Sequence, residues 1–181
     1  MLPLLRHAFA ILVLPISVVV VIPIWIARRW NVAPDWPATW VDWAWTALGL
    51  IVGAIGLILF AASLRRFASD GHGTLAPWDP PRRLVIRGPY RYVRNPMISG
   101  VLFILVGLAL CLRSLPHGTW AAVFAAINMT FIPLVEEPDL EGRFGDEYRA
   151  YCRAVPRFIP LMRPWMGDDK GRMGPGRWLD K

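Results

Sequence analysis

The sequence predicts an all-α integral membrane bundle of four transmembrane helices that includes a C-terminal helical hairpin. Three observations carry the prediction. The 181 residues are 55% hydrophobic with a mean hydropathy of +0.40, too apolar for a domain that must wet its whole surface. The apolar residues gather into four runs. The basic residues gather on alternate connections between those runs, as the positive-inside rule requires of a chain that crosses a bilayer repeatedly.

The first run, 5–26, contains Pro15 and Pro23. Proline is tolerated in a spanning helix where a kink or a neighbouring helix satisfies the freed carbonyl, so a bent helix is expected. The run is too long for a signal-peptide core and has no small-residue cleavage site after it, which makes it a retained helix. The second run, 41–62, carries Gly49, Gly53 and Gly56, a stripe of small residues at helical spacing that permits close helix approach. Runs 97–112 and 119–135 are shorter and near the lower limit for crossing about 30 Å of hydrocarbon. The turn from Arg113 to Gly118 joins them into a hairpin. A single domain over 1–166 and a flexible, Gly-rich tail over 167–181 are expected.

Seventeen of the twenty Lys and Arg residues lie at the start of the first run, between the second and third, or after the fourth. This bias places both termini in the cytoplasm, with the bacterial inner membrane as the expected location. All thirteen acids except Asp35 and Asp42 fall on the same side. Trp25, Trp30, Trp36, Trp40, Trp43 and Trp45 surround the first outer loop, where indole rings suit the headgroup level. The formal charge of +7 does not point to nucleic acid, because it is spread around apolar spans and not gathered in one polar domain. Cys111 and Cys152 suggest neither a disulfide framework nor a paired-ligand zinc site, and no metal is expected.

The ionisable chemistry concentrates in three segments. Asp70-Gly71-His72-Gly73-Thr74 leads into a proline-rich loop, and Arg87, Arg91 and Arg94 then precede a span opened by Pro96. The glycines let backbone amides approach a ligand, although turns use the same residues. The arginines fit both positive-inside flanking and bidentate capture of a carboxylate. Glu136 and Glu137 sit at the end of the fourth run, where adjacent carboxylates are costly unless paired or hydrated, although acids also favour the start of a helix. From Pro138 to Ala154 the chain reads as a surface helix, weakened at Gly142 and Gly145, with Tyr148, Tyr151 and Cys152 on one face. The segment Val155-Pro156-Arg157-Phe158-Ile159-Pro160 ends that helix and returns the chain to the membrane surface.

In combination, Gly88 to Met97 with Gly100, then Glu136-Glu137-Pro138, Phe144-Gly145, Tyr148, Tyr151 and Arg157-Phe158-Ile159-Pro160, resemble the isoprenylcysteine carboxyl methyltransferase and phospholipid methyltransferase superfamily over residues 60–162. The resemblance implies cytoplasmic segments closed over S-adenosylmethionine and a lipophilic substrate that enters from the bilayer, with membrane lipids as neighbours. It assigns cofactor binding to Gly71, His72, Gly73, Thr74, Tyr90, Arg91, Arg94, Asn95, Pro96, Gly100, Glu136, Glu137 and Tyr148. It assigns catalytic roles to Glu136, Glu137, Tyr151 and Arg157. A glutamate would hold the cofactor's ammonium or ribose while Arg91, Arg94 or Arg157 meets its carboxylate. Glu136, Glu137 or Tyr151 would take the proton from an amine acceptor, whereas a carboxylate or thiolate acceptor needs little base assistance. The chain departs from many relatives at Asn95, where they have histidine, and at Ile98, where they have tyrosine. Two rival classes are an NADPH-dependent membrane reductase of the sterol-reductase type and a noncatalytic membrane scaffold.

Overall fold

The computed structural model describes residues 12–70 and 84–166, and every regular element among them is helical. The chain is π-helical over Leu12–Val21 and then runs as α1 (Ile22–Arg29), α2 (Trp40–Asp70), α3 (Pro96–Cys111) and α4 (Leu115–Phe131). A π-turn over Ile132–Glu136 leads into α5 (Glu137–Phe144) and α6 (Asp146–Ala154). Two continuous helical stretches, Trp40–Ser69 and Leu115–Phe144, are long and apolar enough to cross a membrane, whereas Pro96–Cys111 is apolar but shorter. The first part of the expected first span and the expected tail at 167–181 lie outside the described residues.

Thr39 and Asp42 cap the start of α2 reciprocally. The Thr39 amide donates to Asp42 Oδ2 at 3.0 Å and the Asp42 amide to Thr39 Oγ1 at 3.2 Å. The helix runs on for 31 residues, about 46 Å at 1.5 Å per residue, well beyond the expected end at 62. Hydropathy falls at Arg65 and Arg66, but both residues favour helix, so the apolar run ends before the helix does.

Helix α3 packs antiparallel against α2 along the glycine stripe. A side chain at Gly107 would place its Cβ 2.6 Å from Gly49 O and Gly53 N, and one at Gly56 would lie 2.7 Å from Gly100 O and Ile104 N. Ser63 continues the stripe, fully buried, with its hydroxyl donated to Leu59 O at 2.6 Å. Small residues let the backbones touch here. Gly100, expected among the cofactor contacts, packs closely against α2, where a Cβ would meet Phe60 N at 2.7 Å.

The connection from α3 to α4 is also tighter than the expected 113–118 turn. Arg113 adopts a left-handed φ of 47°, its amide donates to Leu110 O at 3.1 Å, and the Ser114 amide donates to Ala109 O at 3.0 Å. This closed C-terminal pattern lets the next helix begin at Leu115. Pro116 falls in the first turn of α4, where no intrahelical amide is required. Arg113 also reaches Asp42 at 3.4 Å and Thr46 Oγ1 at 3.4 Å, tying the hairpin turn to the start of α2.

The N-terminal helix docks on α4 through polar contacts. Pro23 has no amide to give to the turn before it, and the Trp120 indole Nε1 donates to Val18 O at 3.1 Å. His117 is buried, with Nε2 3.2 Å from Pro23 O and Nδ1 2.7 Å from Ser114 Oγ. The carbonyl can only accept, so Nε2 carries the proton and Ser114 donates to Nδ1. Replacing Trp120 with Phe keeps the ring and removes the donor. Chemical denaturation in detergent should show a loss of about 1 kcal/mol. Val101, Leu105, Ala121 and Phe124 form the apolar core between these helices, with Val18, Val19 and Phe60 against it.

Candidate functional site

The helix that begins as α4 does not end at the apolar boundary. Pro133 interrupts the ladder, and the chain winds through a π-turn before α5. The Glu137 amide then bonds to Ile132 O, five residues back. Such bulges re-aim the side chains that follow them, and here those are Glu136 and Glu137. The expected single helix over 138–154 breaks at Gly145, whose φ of 57° and ψ of −132° suit only glycine. The chain reverses there, and α6 folds back with Tyr148 and Tyr151 buried.

From Val155 to Met166 the chain forms a strap antiparallel to the segment before α3. The Arg94 amide donates to Pro156 O at 2.9 Å, the Leu161 amide to Tyr92 O at 2.8 Å and the Trp165 amide to Arg91 O at 2.9 Å. The strap brings Arg157 to the acids. Arg157 donates to Glu137 through Nε and Nη2, each at 2.6 Å, in a fork-to-fork pair. Arg94 Nη1 reaches the same carboxylate at 2.9 Å and Cys152 Sγ at 2.8 Å. Its side chain is 11% exposed, and Arg94 Nε is buried without an acceptor among the described residues. The Glu137 contact holds Arg157 firmly protonated, above its ordinary value. Sequence spacing gave no sign of Cys152 as a partner for Arg94.

Two guanidiniums therefore share one carboxylate, which among the described residues leaves one positive charge in excess. Glu136 next to it is half-buried and has no cation partner among the described residues. It lies close enough to Tyr90 that, after burial, its charge is the second cause raising that phenol above the ordinary range. The side chains thus present an uncommitted acid beside a surplus cation, complementary to the ammonium and carboxylate of an amino-acid zwitterion.

The remaining expected residues divide. Asn95 Nδ2 faces Arg157 O at 3.5 Å, and Pro96 opens α3 from a buried position. Tyr148 packs with Tyr151 and Val155 in a second apolar cluster. Arg91 does not join Arg94. Its Nε donates to Trp165 O at 2.7 Å and its Nη2 contacts Met166 Sδ, so it fastens the strap. Arg91 closes the 3₁₀ turn over Gly88–Arg91, whereas Arg94 lies beyond it. Tyr151, expected as a possible base, is 2% exposed and donates its hydroxyl to Tyr90 O at 2.6 Å. Burial, ahead of nearby charges, pushes this phenol well above its usual range, so it stays neutral and cannot accept a proton at physiological pH. Tyr151→Phe should cost about 1 kcal/mol of stability and leave the pH profile of turnover unmoved, as read by denaturation and rate measurements. Gly71, His72, Gly73 and Thr74 lie outside the described residues.

The sequence model of the phospholipid methyltransferase family matches residues 44–147, more than half of the chain. Searches of curated proteins and of solved structures gave no match. The matched stretch contains Arg94, Glu136 and Glu137 and stops before Arg157.

Proposed function

The chain belongs to the phospholipid methyltransferase family, and on that premise we propose that it transfers a methyl group from S-adenosylmethionine to a lipophilic acceptor drawn from the bilayer. The observation that carries the reading is the Arg94–Glu137–Arg157 cluster, with a guanidinium in excess among the described residues, together with Glu136, next to Glu137 in the chain, which holds no cation among them. The buried, unsatisfied Arg94 Nε is a further sign that the site is built around polar groups. These residues fit the amino-acid end of the cofactor, with Arg94 and Arg157 for its carboxylate and Glu136 for its ammonium.

When bound, the cofactor supplies a methyl group already activated on a sulfonium, so the protein's contribution is alignment and exclusion of water. Glu137 holds the two arginines in one orientation. Asn95, in place of a histidine, offers a donor and an acceptor without basicity. The strap from Val155 to Met166 covers the segment that leads into α3. An amine acceptor would give its proton to Glu136, while a carboxylate or thiolate acceptor needs no such step. Exposed Leu134 and Val135 lead directly to the acids, which supports an acceptor that arrives through lipid. In this reading the single domain crosses the bacterial inner membrane four times, with both termini in the cytoplasm.

The test is calorimetric titration of the purified protein in nanodiscs with S-adenosylmethionine, S-adenosylhomocysteine and NADPH. Saturable binding of the adenosyl ligands alone is expected. Binding of NADPH alone, or of neither class, would overturn the reading.

A further inference from the structure

The strap has two apolar faces, and among the described residues only one of them packs within the fold. Leu161 and Trp165 turn inward onto the Tyr148, Tyr151 and Val155 cluster, with the Trp165 ring 5.9 Å from Tyr151. Ile159 and Met162 turn outward and are 77% and 98% exposed, with Arg163 exposed beside Met162. Large apolar side chains presented next to a cation suit the boundary between acyl chains and phosphate headgroups.

The position of the strap matches that boundary from two directions. Its backbone is bonded to Tyr92 and Arg94, and the apolar helix α3 begins at Pro96. Arg157 within the strap is paired with Glu137, and the residues immediately before the acids, Leu134 and Val135, are 69% and 51% exposed on a helix long and apolar enough to span. The strap is thus tied, through Arg157 and Glu137, within three residues of exposed apolar side chains on that helix.

We propose that Ile159 and Met162 insert into the cytoplasmic-side phospholipid interface, with Arg163 at the phosphates, so that the membrane itself holds the strap over the site. The proposal depends on the chain lying in a bilayer and not on the reaction it catalyses.

Met162 is a built-in probe, because a water-exposed thioether is readily oxidised to the sulfoxide. The unmutated protein in nanodiscs would be subjected to hydroxyl-radical footprinting, with a methionine-containing peptide in solution as the aqueous reference. A parallel sample would contain phospholipids carrying a photoactivatable diazirine in the upper acyl chain, with adducts mapped by peptide mass spectrometry. The expected result is oxidation of Met162 several-fold slower than the reference, together with lipid adducts on residues 159–166. Oxidation at the reference rate would overturn the proposal. Protection without lipid adducts would also overturn it, because another part of this chain or a second copy would then be the cover.

Discussion

Glu137→Gln should lower affinity for S-adenosylmethionine and S-adenosylhomocysteine by about a hundredfold or more, corresponding to the roughly 3 kcal/mol lost when one member of a buried ion pair is removed. Glutamine preserves the size of the side chain and some of its hydrogen bonds. It removes the one charge that, among the described residues, holds Arg94 and Arg157 together. Two guanidiniums would then confront each other at a poorly hydrated position, and Arg157 would carry the strap away from Arg94. Calorimetry reads the affinity, and thermal unfolding in the same detergent separates loss of the site from loss of the fold. Glu136→Gln should weaken binding while leaving stability nearly unchanged, because Glu136 holds no cation among the described residues. Unchanged affinity in Glu137→Gln would remove this acid from the site.

Gly107→Ala and Gly53→Ala should shift stability in opposite directions. At Gly107 the new methyl would lie 2.6 Å from Gly49 O and Gly53 N. Both are backbone atoms that cannot rotate aside, so α2 and α3 must separate, at a cost of about 1–3 kcal/mol or more. At Gly53 the nearest atom would be Gly107 Cα at 4.0 Å, an ordinary contact. Alanine there gains up to about 1 kcal/mol of helix propensity. Denaturation midpoints of the two variants in one detergent test the contrast. Equal effects would show that the close approach of these helices does not limit stability.

The same stripe shows how far the sequence could be read. Gly49, Gly53 and Gly56 announced a packing face because three small residues recur at helical spacing. The partner face was hidden because Gly100 and Gly107 are seven residues apart and Gly100 follows a motif that drew it into the cofactor site. The all-helical architecture and the long apolar stretches followed from hydropathy. Helix ends did not, because Arg65, Arg66 and Pro116 change polarity or remove an amide without forcing a helix to stop or wait. Hydropathy marks where a chain leaves lipid, which is a different boundary.

At the site, the sequence showed which residue types would meet but not which copies. Arg91 and Arg94 are equivalent as letters, yet a short 3₁₀ turn sends one to the strap and the other to Glu137. The pairing of Arg157 with Glu137 depends on the reversal at Gly145. A proline-induced π-turn also changes the direction of both acids relative to a regular helix. The burial of Tyr151, which argues against the base role expected of it, cannot be read from one tyrosine on an amphipathic segment.

The seating of the N-terminal helix bears on the order in which the chain is assembled. Val18 O and Pro23 O receive their side-chain donors from Trp120 and His117, residues made about a hundred positions later. A nascent chain that has not yet reached the fourth apolar run has no such donors to offer. Its first helix must wait in the insertion machinery, or loosely in lipid, for a partner still to be synthesised. Final docking of the beginning of this protein is therefore a late event in its biogenesis, set by the arrival of one imidazole and one indole.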